Sequence, residues 1–265
     1  MRWSGFTCSS ACSEAVATHI DVSEEAGVRY LHFGSDWVQG AMRIRDPNAL
    51  ELQYTREMMA GLLLRDEDWP RSVLTIGLGA GSVTKFIHHH CPQARQTVVE
   101  IEPRVIAAAR HFFALPDPDQ RLTVETGDGA DYVQRGERRF DHVLVDGYDA
   151  KARSGALDTP AFYAAVRARL SDQGLMAVNL FGSARGFDAT LARICKAFDG
   201  RVLAFPSCDS GNVIVFAATG EEIALPLADM RERARTLKTR TGLDLLPAIS
   251  RLEQAGSVPG GVLLL

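Results

Sequence analysis

The hydrophobic and polar positions of the chain change period along its length, and the changes predict its elements. From residue 28 to 44, in VRYLHFGSDWVQGAMRI, apolar and polar residues alternate on both sides of a Gly-Ser-Asp turn. This pattern predicts two strands joined by a tight turn. After Asp46-Pro47-Asn48 the apolar residues take helical spacing, which predicts a helix of about 16 residues, ALELQYTREMMAGLLL.

A charged stretch at residues 65–71, RDEDWPR, separates this region from the rest. It predicts a small N-terminal β-hairpin region with its connecting helix, residues 1–66, and a main domain of residues 67–265. In the main domain β-branched runs predict strands at 72–77, 96–101, 122–126, 140–146, 175–181, 201–206 and 211–218. Helical patterns between them predict helices at 82–91, 103–113, 129–135, 160–170 and 186–198. This alternation is typical of a doubly wound, mainly parallel α/β sheet, and the last two strands are close enough to form a hairpin with an antiparallel strand at the edge.

Composition narrows the function classes. The chain has 265 residues, of which 46% are hydrophobic, and no apolar run approaches bilayer length. The N-terminus lacks the apolar core of a secretory signal, so we expect a cytoplasmic protein without a membrane partner. A net charge of −4 and no basic helix face argue against nucleic acid as a partner.

The cysteines and histidines do not predict a metal site. The five cysteines are scattered without a CxxC pair or zinc spacing, and they are expected to be reduced thiols. His88, His89, His90 and Cys91 are consecutive on a predicted helix, so their side chains point in different directions. We therefore expect no metal.

The stretch LTIGLGAGSVTKF, residues 74–86, contains the first candidate binding motif. Gly77, Gly79 and Gly81 directly follow the first strand of the main domain and open a helix. Glycines there let the backbone turn sharply and approach a ligand, to which the helix N-terminus adds a favourable dipole. Alone the motif is weak, because small residues at such a turn often serve only packing.

Acidic residues follow the next strands. Glu100 ends the second strand, 19 positions after Gly81, where a carboxylate can accept both ribose hydroxyls. Asp128 follows the third strand, where it could accept a hydrogen bond from an adenine amino group, and Asp146 and Asp149 follow the fourth. All lie at the carboxyl edge of the predicted sheet, where open α/β folds bind ligands.

The spacing of the glycines distinguishes between two kinds of nucleotide-like ligand. Dinucleotide-binding proteins carry GxGxxG, and Ser82 stands where the third glycine of that pattern would be. The pattern GxGxG with a further acid after the third strand indicates a class I S-adenosylmethionine-dependent transferase with a Rossmann-like sheet. NAD is the weaker alternative.

From about Val28 to about Phe216 the sequence resembles the spermidine synthases, the polyamine aminopropyltransferases. VLTIGLGAGSVTKFI is similar to the glycine motif of that family, VVEIEP to its ribose segment, GDGADYV to its adenine segment, FDHVLVDGYD to its catalytic strand and LDTPAFY to the helix after its gate loop. Upstream, WVQG and LELQYTREMM resemble its glutamine-bearing hairpin and tyrosine-bearing helix.

The resemblance implies a role for each matching residue. Glu100 with Ile101 would hold the ribose, and Asp128 with Gly129 the adenine, of decarboxylated S-adenosylmethionine. Asp146 would be the catalytic base. Asp149, Gln39 and Tyr54 would bind the amine acceptor, for example putrescine, and a homodimer is implied as well.

The implied chemistry is consistent with these residue types. An alkylamine has a pKa near that of lysine, about 10.4, so at neutral pH it is protonated and cannot attack. A pair of carboxylates can bind the cation, and one can take its proton as nitrogen attacks the carbon beside the sulfonium. Individually, Asp149 could equally be a helix cap, and Tyr54 a residue that packs on the sheet.

Three departures from the family pattern keep other functions open. Ala80 stands where the family has an aspartate near the amine of the donor, Thr55 and Arg56 replace a histidine and a glutamate, and the gate segment carries Lys151 and Arg153. The loss of the aspartate removes a charge that would repel the carboxylate of S-adenosylmethionine. The alternatives are therefore an S-adenosylmethionine-dependent methyltransferase on a spermidine-synthase-like frame and, third, a non-catalytic nucleoside-binding module.

Overall fold

The structure is a computed structural model that describes residues 19–34, 37–147, 155–182, 186–208 and 211–265. Its first part is a three-stranded antiparallel sheet of β1 (Ile20–Glu25), β2 (Val28–Phe33) and β3 (Val38–Arg43). The predicted strand pair within residues 28–44 is confirmed as β2 and β3. β1 was not predicted; it joins β2 through the two-residue turn Ala26-Gly27, where both residues have positive φ, as hairpin turns require.

The helix after this sheet is shorter than predicted. α1 (Gln53–Met58) begins four residues after Ala49, where the sequence pattern placed its start, and a 3-10 helix, Met59–Leu63, continues it. The side chain of Arg56 donates hydrogen bonds to the carbonyls of Leu50 (2.7 Å) and Glu51 (2.9 Å). Because these carbonyls are already bonded, the preceding segment is held in an irregular conformation.

A seven-stranded sheet forms the centre of the molecule, in the order β6-β5-β4-β7-β8-β10-β9. Its strands are β4 (Ser72–Ile76), β5 (Arg95–Glu100), β6 (Leu122–Thr126), β7 (Phe140–Val145), β8 (Leu170–Phe181), β9 (Val202–Ala204) and β10 (Asn212–Ala218). Strands β6, β5, β4, β7 and β8 are parallel, and β10 runs antiparallel to both β8 and β9. The predicted doubly wound α/β fold is confirmed.

The late hairpin is also confirmed, but the position of its antiparallel strand was wrong. β10 lies one strand inside the edge, and the edge is β9. All seven residues of β10 are buried, so this strand needs a neighbour on each side, whereas three-residue β9 is short enough for an exposed edge.

Helices cover both faces of the central sheet. They are α2 (Ser82–His90), α3 (Pro103–Phe112), α4 (Gly129–Arg135), α5 (Pro160–Ala168) and α6 (Phe187–Ala197), with a 3-10 helix at Gly155–Asp158 before α5. On one face Val133, Phe162 and Ile194, from α4, α5 and α6, pack on apolar residues of β7, β8 and β10. The other face packs against α1 and α2.

The last part of the chain completes that second face and was not predicted from the sequence. It contains β11 (Ala224–Pro226), α7 (Leu227–Thr241), α8 (Leu246–Gln254), a 3-10 helix at Pro259–Gly261 and β12 (Val262–Leu264), and β11 pairs with β12. Met230 and Leu252 are fully buried in the same cluster as Phe216 of β10. Within the described ranges, no helix has the length and apolar character needed to cross a membrane.

Candidate functional site

A cavity of about 710 Å³ opens at the carboxyl ends of the parallel strands, under the β2–β3 end of the N-terminal sheet. It is where open α/β sheets bind ligands. The predicted site residues that line it are Gln39, Tyr54, Gly77, Gly79, Glu100, Ile101, Asp128, Gly129 and Asp146. Gly81 is not among the lining residues, and Asp149, Lys151 and Arg153 lie outside the described residues.

The glycine loop brings the ends of β4 and β7 together. Gly77 has φ +90°, and a Cβ there would lie 2.3 Å from the carbonyl oxygen of Asp146. Both the conformation and the close approach therefore require glycine. Gly81 precedes α2 at φ +68°, and a Cβ on it would lie 2.9 Å from Leu115, so its position is set by packing.

The carboxylate of Glu100 is tied to the same loop. Its Oε2 accepts a hydrogen bond from the amide of Leu78 (2.8 Å), and its Oε1 accepts one from the amide of Glu102 (2.9 Å). The side chain is 7% exposed. Burial raises its pKa, and the backbone amides oppose that rise by favouring the ionised form. The two oxygens keep further lone pairs for a ligand.

Asp128 both caps a helix and lines the cavity. Its Oδ1 accepts hydrogen bonds from the amides of Ala130 (2.7 Å) and Asp131 (3.2 Å), so it caps the N-terminus of α4. The residue is exposed and also lines the cavity. Ile101, at the end of β5, is 67% exposed at the rim of the cavity. Gly129 begins α4 against Ile76, where a Cβ would be only 2.3 Å from the isoleucine side chain.

Asp146 lies at the opposite part of the cavity, directly after β7. Its Oδ1 accepts a hydrogen bond from Nδ2 of Asn179 (2.8 Å), and its carboxylate also accepts one from Tyr54. Burial raises the pKa of Asp146, and the two hydrogen bonds partly oppose the rise. The residue is therefore a desolvated carboxylate with positioned donors, a common environment for a catalytic acid or base.

Gln39 and Tyr54 reach the cavity from the N-terminal part of the chain. Leu31 pairs with Gly40 and His32 with Val38, so Gln39 is the extra residue of a β-bulge. Bulges redirect side chains and are frequent near functional sites. Tyr54, in the first turn of α1, packs against the apolar core and also lines the cavity, and its role in binding the acceptor stays a prediction.

Two residues that sequence analysis missed complete this region. Asn179 in β8 and Asn212 at the start of β10 are each 4% exposed, and both line the cavity. Nδ2 of Asn212 donates to Oδ1 of Asn179 (2.8 Å). A signal existed in the sequence: each asparagine interrupts or begins an otherwise apolar strand, LMAVNLF and NVIVFAA.

A further missed residue, Asp158, fixes the chain just before α5. Its carboxylate accepts hydrogen bonds from Thr190 (2.7 Å) and Tyr163 (3.2 Å) and pairs with Arg193 (3.0 Å). The neighbouring Leu157 lines the cavity. The Asp158 contacts therefore anchor this wall of the cavity to α5 and α6.

Ala80 and Arg56, two of the residues that depart from the family pattern, both make close contacts within the fold. Ala80 is 2% exposed and packs on Gly40, where a Cβ would be 2.6 Å from the methyl group of Ala80. Arg56 bonds the carbonyls of Leu50 and Glu51 and is not among the residues that line the cavity. Its guanidinium is thus committed to the backbone before α1.

The three consecutive histidines on α2, His88 to His90, contact neighbouring side chains. His88 bonds Asp119 (3.1 Å), and the rings of His89 and His90 pack edge to face at 4.6 Å. In the part of the chain that the structure describes, no group of three or more potential ligands is arranged to hold a metal ion.

Known proteins are similar to this chain in both sequence and fold. The spermine/spermidine synthase domain matches residues 52–180. A polyamine aminopropyltransferase of Chromobacterium violaceum is 36% identical over 246 residues, which cover 93% of this chain and 94% of that protein. A crystal structure of spermidine synthase with the transition-state analogue AdoDATO superposes with a TM-score of 0.65 at 20% identity, covering 90% of this chain and 87% of that one. Human methyltransferase-like protein 13 in complex with SAH gives a TM-score of 0.64 at 25% identity, covering 72% of this chain and 93% of that one.

Proposed function

The chain belongs to the spermine/spermidine synthase family and is a transferase that uses an S-adenosylmethionine-type donor, and we propose that it moves an aminopropyl group from decarboxylated S-adenosylmethionine to an amine such as putrescine. The observation that carries the proposal is 36% identity over 93% of the chain with a polyamine aminopropyltransferase. The position of Asp146, a half-buried and partly desolvated carboxylate facing a large cavity at the sheet edge, adds a chemical reason.

In this proposal the donor lies along the glycine loop. Glu100 accepts hydrogen bonds from the ribose hydroxyls through lone pairs that the amides of Leu78 and Glu102 leave available. Asp128 accepts the adenine amino group, and Ile101 and Gly129 border the adenine. The support for these roles is that all four residues line one cavity at the ends of β5 and β6.

The acceptor amine binds at the other part of the cavity, beside Asp146, Tyr54 and Gln39. Asp146 takes a proton from the ammonium, the freed nitrogen attacks the donor carbon beside the sulfonium, and the carbon–sulfur bond breaks. Its electron pair stays on sulfur, which leaves as a neutral thioether. Burial raises the pKa of Asp146 and so makes its carboxylate a stronger proton acceptor. Asp149, assigned from the resemblance as a second amine-binding carboxylate, stays a prediction.

Calorimetry with two donors tests the proposal. The purified protein is titrated with decarboxylated S-adenosylmethionine and, separately, with S-adenosylmethionine. We expect tighter binding of the decarboxylated form, because an ammonium suits an acidic cavity better than an added carboxylate does. Preference for the form that keeps its carboxylate would contradict aminopropyl transfer.

A methyltransferase is the second candidate, and Ala80 is the observation that favours it. Without the family's aspartate, no carboxylate at this position repels S-adenosylmethionine. The commitment of Arg56 to backbone carbonyls weighs against this candidate, since no cation at that position is left to receive the carboxylate of the donor. Ala80→Asp should increase the preference for the decarboxylated donor about tenfold, a gain of about 1.4 kcal/mol in discrimination. Binding of neither donor would favour the third candidate, a non-catalytic module.

We also propose that the protein forms a homodimer through its N-terminal sheet, as the family resemblance implies. Val38 and Ile44, on and beside β3, are 42% and 39% exposed, and apolar residues of this kind are candidates for burial at an interface. Light scattering with size-exclusion chromatography tests the proposal, and a monomeric mass would contradict it.

A further inference from the structure

Three polar residues lie side by side at the ends of β7, β8 and β10. Val145 pairs with Val178, so Asp146 follows beside Asn179. Asn179 in turn pairs with Ile214, two positions from Asn212. Because side chains two positions apart on a strand share a face, Asn179 and Asn212 point to the same side of the sheet.

The hydrogen bonds among these residues have one possible direction. An ionised carboxylate only accepts, so Asn179 must turn its amide nitrogen toward Asp146, and the distance is 2.8 Å. The carbonyl oxygen of Asn179 then faces the other way and requires a donor. Nδ2 of Asn212 supplies that donor at 2.8 Å. If an acceptor occupied the position of Nδ2 of Asn212, the amide of Asn179 would be favoured in the opposite orientation.

We propose that Asn212 is a positioning residue that acts on Asp146 through Asn179: it fixes the orientation of the Asn179 amide, and that amide holds the carboxylate in its ionised, proton-accepting form. The inference rests on the proposed function only in treating Asp146 as the base. Nothing in the family resemblance assigns a role to either asparagine.

The physical effect follows from the surroundings of these residues, since Asn179 and Asn212 are buried and Asp146 is half-buried. A hydrogen bond donated to a carboxylate favours its charged form, and such bonds are stronger where water is excluded. Among the residues that line the cavity, the other titratable side chains are Tyr54, which donates to Asp146, and the carboxylates Glu100 and Asp128 on other strands. These groups are the same in every variant below, so a change in the titration of Asp146 is caused by the substituted asparagine.

The test measures the titration of Asp146 directly by carbon-13 NMR of its carboxyl carbon, assigned through the signal that Asp146→Asn removes. Asn179→Leu should raise the pH of half-titration by about one unit, the scale of one lost charge-assisted hydrogen bond. Asn212→Leu should raise it by a smaller amount. Added to Asn179→Leu, it should have no further effect, because Asn212 acts through Asn179.

Thr75→Val is the matched control. Thr75 is 3% exposed and lies on neighbouring β4, and no hydrogen bond from its hydroxyl to Asp146 is present among the described residues. The titration of Asp146 should be unchanged in this variant. Asn212→Ala removes the same donor as Asn212→Leu without added bulk, so it gives the answer if the leucine variant does not fold.

The inference would be overturned if the Asn212 variants left the titration of Asp146 unchanged. It would also be overturned if Asn212→Leu shifted that titration as far in the Asn179→Leu background as in the original protein. The pH profile of kcat/KM with decarboxylated S-adenosylmethionine and putrescine then separates it from the proposed function. We expect the acidic limb to move by the same amount as the titration. A moved titration with an unmoved limb supports the positioning role and contradicts Asp146 as the base.

Discussion

The two ends of the cavity, which we name the nucleoside end and the amine end after their proposed ligands, hold their carboxylates in different ways. At the nucleoside end, Glu100 and Asp128 accept hydrogen bonds from backbone amides of residues close to them in sequence or in the adjoining glycine loop. At the amine end, Asp146 accepts hydrogen bonds from the side chains of Tyr54 and Asn179, which belong to α1 and β8.

This difference indicates how far the sequence at each end can change without altering the geometry of the site. Backbone amides are present whatever the side chains are, so the nucleoside end can keep its geometry across many sequences that share the glycine loop. The amine end depends on the side chains of Tyr54 and Asn179, which come from separate elements, and a substitution of either changes the environment of Asp146. We infer that the ligand of the nucleoside end is the more constant one and that the reaction is set at the amine end.

The largest effect is expected at the amine end, from Asp146→Asn. Asparagine keeps the shape of the side chain but cannot take a proton from the acceptor, so kcat/KM should fall about a thousand-fold. Donor affinity by calorimetry should change by less than about twofold, because the nucleoside end is untouched. Retained turnover in this variant would show that another group is the base.

Gly77→Ala should damage both ends, because this glycine is where they meet. The new Cβ would contact the carbonyl of Asp146, in a backbone conformation that alanine rarely adopts. We expect a loss of about 2 kcal/mol in the free energy of unfolding, with weaker donor binding and slower turnover. Gly127→Ala is the control for stability, since its Cβ would meet only Val99 at 3.8 Å. Equal stability losses in the two variants would contradict the account.

Glu100→Gln should affect the nucleoside end alone. The amide keeps one acceptor oxygen and replaces the other with a donor that opposes a backbone amide, so donor binding should weaken about tenfold. The kcat at saturating donor should stay within about threefold of the original. Glu125→Gln, at an exposed position of β6, should leave donor binding unchanged. A fall in kcat without a change in donor affinity would place Glu100 in the chemical step.

The smallest expected effect is a gain of stability in Asp146→Asn. Burial raises the pKa of Asp146 above that of the unfolded chain, so the folded protein binds this proton more tightly. The stabilising contribution of Asp146 to the free energy of unfolding is therefore lost as the pH rises from the pKa of aspartate in the unfolded chain through the raised pKa of the folded protein. At pH 8 the variant should be more stable by about 1 kcal/mol, and the difference should shrink toward pH 4. Denaturant unfolding at the two pH values measures it, and a gain that grows on acidification would contradict the burial argument.

The nucleoside end and most of the central sheet could be predicted from sequence because their signals are local. A strand, a glycine turn and a helix follow one another within residues 72–90, Glu100 is the last residue of its strand, and Asp128 comes two residues after the next one. The helix at Gln53–Met58 was predicted to begin too early, because its start depends on Arg56 bonding carbonyls behind it. The division of the chain at residue 66 stays a prediction.

The amine end could be predicted only in part. Asp146 was selected by its place after a predicted strand and took its role, like Tyr54, from the family resemblance. Asn179 and Asn212 instead act on Asp146 through contacts between residues 33 positions apart in the chain. No local pattern encodes such contacts. The roles assigned to individual residues, including Asp149, remain predictions.

The most direct test of the central claim is the mass of the acceptor after incubation of the protein with putrescine and an equimolar mixture of decarboxylated S-adenosylmethionine and S-adenosylmethionine. We predict that putrescine gains one aminopropyl group and that Asp146→Asn abolishes the gain. Acceptor that gains a methyl group instead, or that is unchanged with the intact protein, would contradict the account.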